Sequence, residues 1–153
     1  MNTMRNLHTD PHCHQTRDLW HGQYERVGDQ YRYRLADDGA TRGSCFAWGP
    51  ITSAQLTGMI LYARLTDADE TVLDNLGVEG APTIIRQDNW IVARCYDVVS
   101  NHALALGNGT FILDEVAVYE PACWEQIYDL YQHGVLMRPF FAGETAGGGG
   151  LTS

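Results

Sequence analysis

Cys45, His102, Glu115 and Asp114 are the residues whose types and order suit a chemical step. A thiol is a weak nucleophile at neutral pH until an imidazole takes its proton, and the imidazole needs an acceptor that fixes its tautomer. Cys45 lies 57 residues before His102, and the stretch from His102 to Leu106 alternates like a strand. Asn108-Gly109 then reads as a tight turn that joins it to Thr110–Leu113. A two-residue loop pairs Gly107 with Thr110 and sets His102 opposite Glu115, whereas a three-residue loop sets His102 opposite Asp114. The first register gathers Leu104, Leu106, Phe111 and Leu113 on one face, so Glu115 is preferred as the third member.

Gly43-Ser44-Cys45-Phe46-Ala47-Trp48 resembles the segment around the nucleophile of papain-like cysteine proteases, with the two aromatic residues exchanged. Asn101-His102-Ala103-Leu104-Ala105-Leu106-Gly107 resembles the strand that carries the general-base histidine in papain-like and transglutaminase-like enzymes. The resemblance implies a thiol hydrolase or acyltransferase, with Cys45 as nucleophile, His102 as base and Glu115 or Asp114 as acceptor. Pro50 bars a helix begun at Cys45, which places this cysteine in a loop.

Positioning these residues falls to a short list of elements. Tyr31–Leu35 alternates as a strand and ends at the turn former Asp37-Asp38-Gly39. A helix is expected after Pro50, capped by Thr52 or Ser53, with Leu56, Met59, Ile60 and Ala63 along one face. A second is expected from Asp67, with Glu70 as capping-box partner, to Gly77. Two strands follow, Thr83–Ile85 and Trp90–Tyr96, around a polar turn at Gln87-Asp88-Asn89; the Asn108-Gly109 hairpin comes next. Pro121 opens a last helix that lays Trp124, Ile127, Tyr128 and Tyr131 on one face and stops at Gly134. The order predicts an α+β fold: one domain over 21–141, with one antiparallel sheet of four to five strands packed on two to three helices. Residues 1–20 read as a flexible polar lead, and 142–153 as a Gly-rich flexible tail.

His8, His12, His14 and His21 crowd the start of the chain, with Cys13 among them, and imidazole and thiolate are metal ligands. A stretch ahead of the first predicted strand offers nothing to orient the rings, so no metal and no cofactor is expected. The four cysteines lack any paired spacing and read as buried hydrophobes of a reducing compartment. No stretch is apolar enough to span a membrane, and the start lacks a signal-peptide pattern, so a cytoplasmic protein is expected.

Charge decides between function classes. All ten cationic residues are arginine, none is lysine, and nineteen carboxylates bring the net charge to −9. That excludes Schiff-base and P-loop chemistry, argues against direct binding of nucleic acid and favours a basic protein partner. Asp67, Asp69, Glu70, Asp74 and Glu79 form the densest acidic cluster and are the expected partner-binding residues. The leading expectation is a small acidic interaction protein that occupies a basic, nucleic-acid-binding surface of another protein. Inhibitors and phage or plasmid counter-defence proteins work in this way. The thiol hydrolase is the alternative.

Overall fold

The structure is a computed structural model that describes residues 3–20, 22–35, 42–96 and 102–146. In chain order its elements are β1 (Thr3–Arg5), β2 (Leu19–Trp20), β3 (Gly22–Val27), β4 (Gln30–Leu35), β5 (Arg42–Cys45), α1 (Ser53–Leu56) and β6 (Ile60–Thr66). They continue with α2 (Glu70–Leu73), β7 (Gly77–Val78), β8 (Thr83–Arg86), β9 (Trp90–Arg94), β10 (Leu104–Gly107), β11 (Gly109–Tyr119), α3 (Pro121–Gln132) and β12 (Glu144–Ala146). The Asp37-Asp38-Gly39 turn, Asn101, His21 and residues 147–153 lie outside the described residues.

The expected α+β architecture, one antiparallel sheet of four to five strands on two to three helices, does not form. The fold is mostly β, 41% strand and 15% helix, with two antiparallel sheets in place of one. The larger runs β3-β4-β11-β6-β9-β8, the smaller β2-β5-β10-β7, and β1 pairs with β12 in a separate ribbon. β6 explains the layering. Leu61, Ala63 and Leu65 join one apolar cluster with Cys45, Leu104 and Leu106 of the smaller sheet. Ile60 and Tyr62 join a second cluster with Trp124 and Ile127 of α3. A strand covered on both faces reads as a continuous apolar run. The central sheet is thus sandwiched between the smaller sheet and α3.

The same run explains why the helix expected over 56–63 does not form. Thr52 caps α1, with Gln55 returning the bond to the Thr52 backbone, but α1 ends after one turn. Gly58 sits at φ +83°, a left-handed conformation that stops a helix. From Ile60 the chain is extended and pairs with β9 and β11. The second expected helix shrinks to α2, a single turn with Asp69 at its N-cap.

The Asn108-Gly109 hairpin is the second correction. β10 pairs with β5 and β7, and β11 pairs with β4 and β6, so the two strands flanking Asn108 belong to different sheets. The glycines there answer to crowding by α2. A Cβ on Gly107 would meet the Thr71 carbonyl oxygen at 2.0 Å, and one on Gly109 the Asp69 carboxylate at 2.7 Å. Residues 3–20, read as a polar lead, run along the sheets with Met4, Asn6, His8, Cys13 and Arg17 buried. Pro121, the Trp124-Ile127 stripe and the stop at Gly134 are as expected, and Ile127 is fully buried.

Candidate functional site

Of the four residues expected to form a thiol site, Cys45 ends β5, His102 precedes β10, and Glu115 and Asp114 lie on β11, where other side chains engage both carboxylates. Cys45 is not in a loop: it ends β5, its Cα paired with Leu104 on one side and Leu19 on the other. Its thiol is fully buried, and burial pushes its pKa up to about 12. His102 lies two residues before β10 and is 4% exposed, and neither ring nitrogen has a hydrogen-bond partner. Burial lowers its pKa. Glu115 faces Arg64 of β6, where the sequence register had placed His102. Its carboxylate accepts from Tyr62 Oη at 2.8 Å and from Arg138 Nε and Nη2 at 3.0 and 2.8 Å. Asp114 accepts from Arg64 Nη1 at 2.6 Å and from the Gln30 amide at 3.0 Å.

Of the N-terminal histidines, His8 is absorbed into the fold. His8 Nε2–H donates to the Gly49 carbonyl oxygen at 3.0 Å, and its Nδ1 accepts the Asp10 N–H at 3.0 Å, so the neutral ring is fully satisfied. Arg17, 5% exposed, donates to Asp10 Oδ2 at 2.9 Å and to the Ala47 carbonyl oxygen at 2.8 Å. Together these bonds tie the leading segment to the loop after β5. His12 and His14 stack with ring centroids 6.3 Å apart. Cys13 is buried beside Tyr33 in the inter-sheet core.

The acidic cluster divides into structural and free members. Asp67 binds Arg32 at 2.6 Å. Asp69 accepts the Thr110 N–H at 2.8 Å, which docks α2 on β11, and Glu79 accepts the Ser44 hydroxyl at 2.6 Å. Glu70 and Asp74 remain. They sit four apart, so their carboxylates share one face, and like charges at that spacing repel. Val72 turns the opposite way into the core and anchors the turn.

Opposite them stands the β8–β9 turn, closed by the Gln87 N–H donating to the Trp90 carbonyl oxygen at 3.0 Å. It contributes Asp88, which lies outside the acidic cluster expected at 67–79. The polar turn itself was readable; its return to α2 depends on the pairing of β8 and β9 with the central sheet. Glu70, Leu73, Asp74, Arg86, Gln87 and Asp88 line a cleft of about 600 Å³. Arg86 is the cation in this lining, and it donates to the backbone carbonyls of Leu73 and Leu76. Its guanidinium therefore ties β8 to the backbone at the end of α2 and just beyond it. Glu70, Asp74 and Asp88 form no ion pair among the described residues, so the cleft lining carries three carboxylates against one guanidinium.

No helix among the described residues is long and apolar enough to cross a membrane. Compared with family models, with curated proteins and with solved structures, the chain matches none.

Proposed function

We propose that the chain is an acidic interaction protein whose cleft between α2 and the β8–β9 turn receives a cationic side chain of a basic protein partner. The observation that carries the reading is the lining of this cleft: Arg86 is bonded to the Leu73 and Leu76 carbonyls, and Glu70, Asp74 and Asp88, without ion pairs among the described residues, outnumber it three to one. A guanidinium or ammonium entering there relieves the repulsion between Glu70 and Asp74 and forms charge-assisted bonds. The net charge of −9 adds long-range steering toward a basic surface. Such a partner includes the nucleic-acid-binding face of another protein.

The test is a titration of the full chain with a fluorescein-labelled octa-arginine peptide. Steering between exposed charges is screened beyond about 8–10 Å at physiological ionic strength. Binding that weakens at least about tenfold between roughly 50 and 500 mM salt supports the reading. Equal binding at both salt concentrations, or none at either, contradicts it.

A further inference from the structure

β3 is the outer strand of the central sheet and pairs only with β4 among the described strands. Gly22 to Arg26 are exposed, and Val27 at its end is half-buried. An edge of this kind is a template for another strand. The β3–β4 hairpin fixes which backbone groups it offers. Val27 and Gln30 flank the two-residue turn Gly28-Asp29, with Gly28 at φ +64° in its first position. Val27–Gln30 is then a hydrogen-bonded pair, and alternation makes Glu25–Arg32 and Gln23–Arg34 the next two. The N–H and C=O groups of Gly22, Tyr24 and Arg26 point away from β4.

The side chains on this edge complement a two-fold copy of themselves. Phe111, Tyr33 and Tyr24 are direct cross-strand partners on β11, β4 and β3, with ring centroids 5.4 and 6.1 Å apart. The row ends at the edge on Tyr24, which is 54% exposed. On the other face Arg32 binds Asp67 at 2.6 Å and reaches Glu25 only at 3.7 Å. Arg34 has no ion-pair partner among the described residues. Gln23, Tyr24, Glu25, Arg32, Arg34 and Thr110 line a cleft of about 190 Å³ beside the strand.

The geometry points to a homodimer in which β3 pairs antiparallel with β3 of a second copy of this chain, about a two-fold axis at Tyr24. Tyr24 then faces the partner's Tyr24 and continues the aromatic row from one sheet into the next. Gly22 faces the partner's Arg26, and Glu25 faces the partner's Gln23. Beyond that glutamine, Glu25 reaches the partner's Arg34 in its cleft, and the symmetry makes this contact twice. No like charges stand directly opposite each other. An axis at Glu25 would set two carboxylates face to face, which disfavours that register.

Sedimentation equilibrium of the full chain at about 150 mM salt tests this. The wild-type mass should rise from 17.1 kDa toward twice that value as concentration approaches about 1 mM. Glu25→Arg and Arg34→Glu should each remain monomeric. Their equimolar mixture should dimerise, because each new arginine meets the other variant's new glutamate while the unchanged pair is kept. An effect confined within one chain cannot produce that rescue. Tyr24→Pro removes an outward N–H and no bond to β4, and it should also be monomeric. A wild type that stays at 17.1 kDa overturns the proposal. So does a mixture no more dimeric than its components, or a dimer that survives Tyr24→Pro.

Discussion

Arg138 holds Glu115 through two parallel hydrogen bonds, joining the strand before α3 to the loop after it. The contact exists because β11 carries a bulge. Leu113 pairs with Leu65 and Glu115 with Arg64, so Asp114 is the extra residue. Phe111 and Leu113 face the inter-sheet core before the bulge, and Val116 and Val118 after it. The change of parity moves Glu115 to the α3 side, where Tyr62 and Arg138 meet it.

Glu115→Ala should cost about 2–4 kcal/mol, because it leaves Arg138 and the Tyr62 hydroxyl without their acceptor in a largely buried site. Asp67→Ala should leave the thermal midpoint nearly unchanged, since both it and Arg32 are solvated. Urea denaturation of the two variants checks the contrast. Equal losses would mean that the bulge does not organise the α3 side.

Ile127→Ala should cost about 2–4 kcal/mol, since the side chain is fully buried between α3 and the central sheet. This helix was legible because its signals are local: Pro121 at the start, a 3.6-residue stripe and Gly134 at the stop. The β8–β9 turn was legible for the same reason. What the sequence hid is non-local. Leu56, Met59, Ile60 and Ala63 fit a helix by spacing, yet coverage on both faces makes 60–66 a strand. Gly107 and Gly109 flank a real break, but only the packed α2 shows that they yield space rather than form a hairpin turn. The bulge at Asp114 leaves no local mark, so the register that set His102 opposite Glu115 could not survive it. Within the acidic cluster, composition could not separate Asp69, which docks α2, from Glu70 and Asp74, which face solvent.

Stability should fall as pH drops below neutrality. Burial, with Arg17 nearby, lowers the His8 pKa, and burial lowers that of His102. The unfolded chain then takes up protons first, so this stability is complete above the ordinary histidine value of about 6.5 and is lost as pH falls toward the lowered values. Protonated His8 would also set its Nδ1–H against the Asp10 N–H. Thermal midpoints between about pH 8 and 5 should show the drop, and His8→Gln should flatten part of it. A midpoint that rises on acidification contradicts the assignment.

Native thiols should resist alkylation. All four cysteines are buried, and burial raises the pKa of each, to about 12 for Cys45 and about 11 for Cys95. Iodoacetamide at about pH 7 should label none of them quickly in the folded chain and all four after denaturation. Rapid, selective labelling of Cys45 that disappears in His102→Ala would support the thiol-hydrolase reading.

Recognition by the cleft between α2 and the β8–β9 turn is distinguishable from attraction by net charge alone. Glu70→Gln/Asp74→Asn/Asp88→Asn and Asp29→Asn/Glu120→Gln/Glu125→Gln each remove three exposed carboxylates and raise the net charge equally. Binding of the labelled octa-arginine peptide at about 50 mM salt compares the two. The cleft variant should lose at least about tenfold in affinity, while the control loses no more than about twofold. Equal losses in both would show that the peptide reads only the charge of the whole chain, and the cleft would have no part in recognition.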